Sequence, residues 1–445
     1  TMQTLGASLR SGACAVLVAG ALAANAAAQV VTTLVSKAPD GSSPNCSSSA
    51  GIVSPNGRFV TFNSCATNLG PPDLNGHTMD GYVWDRLLGQ MDLVTLSSNG
   101  TQINQGAGCA FISSDGRFLL IGSNGQLSPE DTNNSSDVYV RDRVLETTVL
   151  VSQTPKGVVT TDYAVYAGGL SDDGRFVLLS TSSEQFGGRD TENDHDAYWR
   201  DRVTGVVKRV SVSSHGMAGN GESYPWSTAG SMLSSDGRKV FFRSSATNLV
   251  RGDTNGMPDM FGHDVLLGRT TRLSVNSAGF QTIGGSNDMP AVSPDGRFLA
   301  WSSSATNLDP VHDQNGFWDI YWRDNLTGQV LLCSRTPSGM AGNDQSGTPA
   351  VSANGRYVAF QSRATDLVAS DANGTLDIFR FDTVTGEVLL VSQSSNGAQG
   401  NHPSIEPSIS GDGSLVTYVS YATNLVPNDD NDTYDVFLTE LPIGP

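Results

Sequence analysis

Short runs rich in β-branched and aromatic residues, four to eight long and bounded by Gly, Asp, Asn and Ser, recur along all but the first 30 residues of this 445-residue chain. Residues 297–301 (Arg-Phe-Leu-Ala-Trp) are apolar on both alternating faces, the pattern of a strand whose sheet is sandwiched between two others. Runs such as 137–142 and 319–324 lead through a short turn, often Thr-Gly as at Thr204-Gly205, into a further run such as 206–213. No segment carries a helical period long enough to form a helical domain.

The runs are repeated. A Ser-x-Asp/Asn-Gly-Arg phrase places its glycine at Gly57, Gly116, Gly174, Gly237, Gly296, Gly355 and, with Ser414 in place of Arg, Gly413. The successive intervals are 59, 58, 63, 59, 59 and 58 residues. Asp-Gly or Asn-Gly between β-rich runs marks a hairpin, because both residue types tolerate positive φ. With the second hairpin, each unit holds four strands, here lettered a to d. The last unit, residues 407–441, supplies only a, b and c, while residues 30–36 read as an isolated strand d. The pattern predicts an all-β, seven-bladed β-propeller of four-stranded blades. Its ring is closed by an N-terminal strand completing the last blade, so that no edge is left open.

Residues 292–301 (Val-Ser-Pro-Asp-Gly-Arg-Phe-Leu-Ala-Trp) and 351–360 (Val-Ser-Ala-Asn-Gly-Arg-Tyr-Val-Ala-Phe) resemble the WD40-like repeats, or PD40 repeats, of the TolB-like propeller family. The resemblance extends over all seven units. Segments 123–130 and 180–188 depart from the Ala-Thr-Asn-Leu wording of the other five. What it implies is a fold rather than an activity. Proteins similar in this way include periplasmic partner-binding proteins, gating propellers of serine peptidases and a lyase of pectate fragments.

Residues 1–28 read as a signal peptide. Arg10 precedes an apolar run, and Ala26 and Ala28 offer a small-residue cleavage site that would start the mature propeller, 29–445, near Gln29. The expected product is secreted or periplasmic, with no membrane insertion after cleavage and as a monomer. Four cysteines remain in a compartment that permits disulfides, and one bridge with two thiols is expected among Cys46, Cys65, Cys109 and Cys333. The formal charge is −18, carried by 36 Asp and 8 Glu against 26 basic residues, only four of them Lys. No basic cluster is present to neutralise phosphates, so nucleic acid is not an expected partner.

Candidate chemistry concentrates in the loops between strands b and c. Asp253, Asn255 and Asp259 recur as Asp313, Asn315 and Asp319, as Asp371, Asn373 and Asp377, and as Asp429, Asn431 and Asp435. Asp131, Asn133 and Asp137 repeat the spacing, Asp73, Asn75 and Asp80 nearly so, and the third unit has Glu192 between Asp190 and Asp196. Oxygens at i, i+2 and i+6 resemble part of a calcium loop, and calcium is the one cofactor the pattern suggests. The terminal bidentate Glu is missing, which favours the other role of these residues, folding the loop onto nearby backbone N–H groups.

The b-to-c loops and d-to-a connections share one face, an entrance expected to be acidic, with the Asp-Gly turns and their arginines opposite. The 63-residue interval places additional residues in one d-to-a connection near 215–229. Its Tyr224 and Trp226, with His215 nearby and Trp318 from another blade, form the expected ligand-binding set. Aromatic rings suit a sugar or a protein partner. No G-x-S-x-G, H-E-x-x-H or P-loop occurs, and no catalytic residue is assigned. Five entrance histidines, His77, His195, His215, His312 and His402, keep a metal-assisted polysaccharide lyase, similar to oligogalacturonate lyases, as the alternative to a binding scaffold.

Overall fold

Each β-rich run becomes a strand because its neighbours cover both faces. In the computed structural model, which describes Thr1 and residues 30–444 apart from 161–162, 187–193, 228 and 370, these strands form seven four-stranded antiparallel sheets. Blade 5 is representative, with strands a to d at Asn287–Val292, Phe298–Ser303, Asp319–Asp324 and Val330–Leu332. All of its strand b is buried. The apolar clusters each straddle adjacent blades. Phe59 and Val83 of blade 1, for example, meet Leu119, Ile121 and Tyr139 of blade 2. At roughly 1.5–3 kcal/mol per buried large side chain, this contact between blades is the main source of stability.

Closure follows the expected pattern. Val31–Leu34 pairs antiparallel with Asp435–Glu440, from Val31 opposite Glu440 to Leu34 opposite Phe437, and completes blade 7 as its outermost strand. Ser36 Oγ adds a 2.9 Å hydrogen bond to the Asp435 carboxylate. Cys46 and Cys65 form a disulfide, whereas Cys109 and Cys333 are buried thiols. The signal-peptide segment and the third-unit residues Asp190 and Glu192 lie outside the described residues.

The first hairpin of each blade differs from the expected turn in one respect. Only the glycine is left-handed, as at Gly57 with φ 74°. The preceding Asn56 instead caps the loop, accepting the Arg58 N–H at 2.9 Å, while Ser54 Oγ accepts the Phe59 N–H at 3.0 Å. On this far face each arginine forks onto a turn aspartate: Arg58 to Asp85, Arg117 to Asp142, Arg175 to Asp201, Arg238 to Asp264, Arg297 to Asp324 and Arg356 to Asp382, at 2.6–3.0 Å.

A correction concerns blade 4. From the first residue of strand a to the serine of the turn is six residues in blade 5 (Asn287 to Ser293) and eleven in blade 4 (Ser223 to Ser234). The five additional residues therefore interrupt the innermost strand rather than lengthen the d-to-a connection. Ser223–Tyr224 pairs with Arg243 and Ser244, the chain leaves the sheet, and it rejoins at Leu233 opposite Val240.

Candidate functional site

The interruption in blade 4 decides the shape of the channel. Ala229, carried on the excursion, packs against the apolar clusters shared by blades 5 and 6 and by blades 6 and 7, on the other side of the ring. Around it the far half of the channel narrows to about 80 Å³ between Ile52, Ile112, Leu170, Val292, Val351 and Ile409. The entrance half is thereby a cleft with a floor.

Above that floor lies a cavity of about 590 Å³ lined by Tyr166, His195, Tyr224, Pro225, Trp226, Arg243 and Asp288 among others. Its wall is a row of rings. His195 stacks on Tyr224 at 4.9 Å between centroids and faces Tyr166 at 5.8 Å. Tyr166 and Trp226 are 52% and 56% exposed, unusual for large aromatic groups in a fold that buries most of its Tyr and Trp. Burial holds the His195 imidazole below its ordinary value, so the ring is neutral at pH 7 and available for stacking or hydrogen bonding. At the edge of the cleft Arg243 Nε lies 3.5 Å from Asp288.

Asp288 also borders a second cavity, about 280 Å³, with Met289, Trp318, Gln361 and Arg363. Here the inner strands are bulged. Met289, Thr348, Glu406 and Ala50, the third residues of strand a in blades 5, 6, 7 and 1, have φ between 45° and 54°. Left-handed residues with side chains store strain of about 1–3 kcal/mol each and concentrate where a wall is shaped for a ligand. A larger groove of about 860 Å³ runs along the outer edge between blades 1 and 2, but its wall of Pro71, Pro72, Arg141 and Arg143 offers no aromatic ring.

Of the expected ligand set, Tyr224 and Trp226 share one cavity, and Trp318 faces the neighbouring one. His215 is separate. It sits exposed at a turn whose Ser214 Oγ bonds the Thr270 carbonyl of blade 4's outer strand at 3.2 Å. Tyr166, Arg243 and Asp288 were missed as site residues, and His195 was noted only among the entrance histidines. The signal for Tyr166 was its position beside the strand a start in blade 3, next to the blade that carries the insertion.

The other histidines do not converge. His77 bonds the Cys65 carbonyl at 3.0 Å, His312 pairs with Asp309 at 2.9 Å and His402 meets the edge of Tyr421. Among the described residues, no group of three or more His, Cys, Asp or Glu side chains is placed to hold a metal ion.

The Asp/Asn loops have a common geometry. The second Asp of each, at the start of strand c, is fully buried in all seven blades and takes a hydroxyl hydrogen bond from strand d, as Asp259 does from Ser274 at 2.6 Å and Asp377 from Ser392 at 2.6 Å. The Asn turns its amide N–H inward. Asn255, Asn315, Asn373 and Asn431 each donate to a backbone carbonyl of the next connection, which can only accept. Their oxygens accept local N–H groups, as Asn315 does from Phe317 at 2.8 Å. In blade 4 the Arg272 Nη1 group lies 3.3 Å from both Asp253 and Asp259. Desolvation raises Asp313, takes Asp319 and Asp435 to about 7, and takes Asp377 and Asp429 to about 6.

No protein-family model matches the chain, and no curated protein matches it either. Among solved structures it is similar to an oligogalacturonate lyase in complex with manganese, at 13% identity and TM-score 0.53 over 93% of this chain and 97% of that one. An oligogalacturonate lyase from Vibrio parahaemolyticus gives 12% identity and TM-score 0.52 over the same shares. TolB from Acinetobacter baumannii matches at 14% identity and TM-score 0.39, over 86% of this chain and 80% of that one. At these identities the likeness is one of fold, and the chain is a seven-bladed β-propeller of the architecture found in the oligogalacturonate lyases.

Proposed function

We propose that this chain is an exported propeller that binds a glycan in the blind cleft at the entrance of its channel. The observation that carries the reading is the ring row Tyr166, His195, Tyr224 and Trp226 in one concave site, with Tyr166 and Trp226 exposed. A sugar presents its C–H face to such rings and its hydroxyls to edge groups such as Arg243 and Asp288, whereas a protein partner needs a broader, flatter surface. The His195–Tyr224 stack and the packing of Ala229 across the channel support a preformed site, so little ordering entropy is lost on binding. The apolar N-terminal run and the Cys46–Cys65 disulfide support a secreted or periplasmic location.

The test is binding to a panel of neutral and acidic oligosaccharides by calorimetry. Tyr224→Ala with Trp226→Ala should weaken capture at least tenfold while moving the melting temperature by no more than about 2 °C, because sugar–ring stacking contributes at the ~1 kcal/mol level per ring and both side chains are partly solvent-exposed. A panel with no ligand, or a variant that binds as well as the parent, would overturn the reading. The lyase alternative, which rests on the shared fold, requires metal-dependent release of unsaturated products, lost in His195→Ala; detecting that turnover would replace binding with catalysis.

A further inference from the structure

Blade 4 breaks the repeat a second time, on the far face. The fourth residue of strand c is Val83, Val140, Trp199, Trp322, Arg380 or Leu438 in the other blades and Gly262 here. The residue that opens strand b, aromatic in five blades and Leu415 in the last, is Lys239 here. Blades 3 and 5 fill the corresponding space with a stacked pair of rings: Phe176 lies on Trp199 with centroids 4.9 Å apart, and Phe298 on Trp322 at 5.5 Å. The Trp199 indole N–H donates across the blade boundary to the Gly237 carbonyl at 2.8 Å. Blade 4 has Phe241 where blade 5 has Ala300, and this one ring replaces only part of that volume. A cavity of about 330 Å³ remains between blades 4 and 5.

Its lining has a defined chemistry. Phe241 and Leu273 form an apolar wall, and Gly296, the counterpart of Gly237, borders the cavity across the blade boundary. Asn325 lies beside it, and its buried Oδ1 has no hydrogen-bond partner. Lys239 and Arg269 also line the cavity, in a chain of net charge −18 that has only four lysines. The position of Arg269, opposite the turn aspartate, is Gln90, Thr147, Val206, Gln329 or Glu387 elsewhere. Lys239 Nζ reaches the Asp295 carbonyl at 3.4 Å, and Asp264, an acid on the wall, is held by Arg238 at 2.9 Å.

We propose that this cavity binds a small aromatic carboxylate, its ring in the place that the Trp199 indole holds in blade 3 and its carboxylate between Lys239 and Arg269. A flat ring restores the packing that Gly262 removes, since an unfilled apolar wall forfeits the dispersion contacts that the neighbouring blades make. The two cations supply charge-assisted hydrogen bonds to an anionic group. A ring N–H facing Asn325 or Gly296 repeats the hydrogen bond of Trp199, so an indole carboxylate fits better than a benzoate. The site lies opposite the entrance cleft and does not depend on glycan binding there.

Calorimetric titration of the full chain with indole-3-acetate, indole and benzoate tests the site. One indole-3-acetate per chain is expected, bound at least tenfold more tightly than indole, which lacks the carboxylate, or benzoate, which lacks the N–H. It should also raise the melting temperature, because a ligand of the folded state alone stabilises that state by mass action. Lys239→Gln with Arg269→Gln keeps side chains of similar length and should bring indole-3-acetate down to the affinity of indole. Lys239→Phe, which restores the residue of blades 1, 2, 3 and 5, should abolish binding of both; the glutamine pair decides the matter if this variant fails to fold. No binding to the parent at millimolar ligand, or indole-3-acetate held as tightly by the glutamine pair as by the parent, would overturn the proposal.

Discussion

The glycine of each far-face turn does two things at once, and the arginine beside it does less than its repetition suggests. Gly355 has φ 69°, and a Cβ placed there would lie 2.3 Å from the Phe298 ring of the preceding blade. The same contact recurs between Gly116 and Phe59, Gly174 and Phe118, Gly237 and Phe176, and Gly413 and Tyr357, so the aromatic after the arginine packs onto the next blade's glycine, except after Arg238, where Lys239 follows. Alanine at 355 must adopt a left-handed backbone, costing ~1–2 kcal/mol, and push a packed ring, costing ~1–3 kcal/mol. Gly355→Ala should therefore lower unfolding free energy by about 2–5 kcal/mol in a urea melt. Arg297→Ala should cost less, about 1–2 kcal/mol, because the guanidinium is partly exposed and screened and the buried Asp324, which it meets at 2.8 Å, keeps the Leu326 N–H as a donor. A larger loss from the arginine than from the glycine would reverse this ranking.

At the level of elements, the strand that closes the ring is the one the fold can least spare. Leu34 and Val35 are 6% and 0% exposed, and Val31–Leu34 supplies the outer ladder of blade 7. Deleting residues 30–36 should cost about 4 kcal/mol or more, from two buried side chains and the lost ladder, and leave Asp435–Glu440 as an open edge prone to association. A deletion variant that melts with the parent and stays monomeric would refute this role. That strand was readable from the sequence because closure leaves a numerical trace: a unit short of strand d at one end and a lone strand at the other. The blade 4 excursion was not readable in the same way. A 63-residue interval counts additional residues but does not say on which side of Tyr224 they fall, and the pairing of Ser223 with Ser244 decides it. For the same reason His215, close to Tyr224 in sequence, proves remote, while His195, from the preceding blade's b-to-c loop, stacks on Tyr224. Neighbours across a blade boundary are set by the radial stacking, which no single repeat encodes.

Across the whole molecule the carboxylates divide into two populations with opposite pH behaviour. On the far face the turn aspartates are held low by their arginines, Asp324 to about 2, with Asp85 and Asp142 shifted the same way by Arg58 and Arg117. These groups contribute stability that is present above their unfolded value near 4 and is lost as pH falls through their folded values. In the entrance loops burial does the reverse, raising Asp377 to about 6 and Asp435 to about 7. A raised carboxyl binds its proton more tightly in the native state than in the unfolded chain. Its stabilising effect is complete below pH ~4 and is removed as pH rises through 6 to 7, where the buried group must ionise. The two populations together place the optimum between them. In chelator-containing buffer the melting temperature should rise as pH is lowered from 8 to about 5, then fall below pH ~4 as the arginine-paired aspartates protonate. Asp377→Asn, whose carbonyl oxygen can keep the Gln399 amide while its own amide faces the Ser392 hydroxyl, should flatten part of the slope between pH 5 and 8 without lowering stability at pH 8. A melting temperature that stays level from pH 5 to pH 8 would show that the buried entrance carboxylates are ionised without penalty, and that the far-face pairs, which respond only below pH ~4, alone set the pH response.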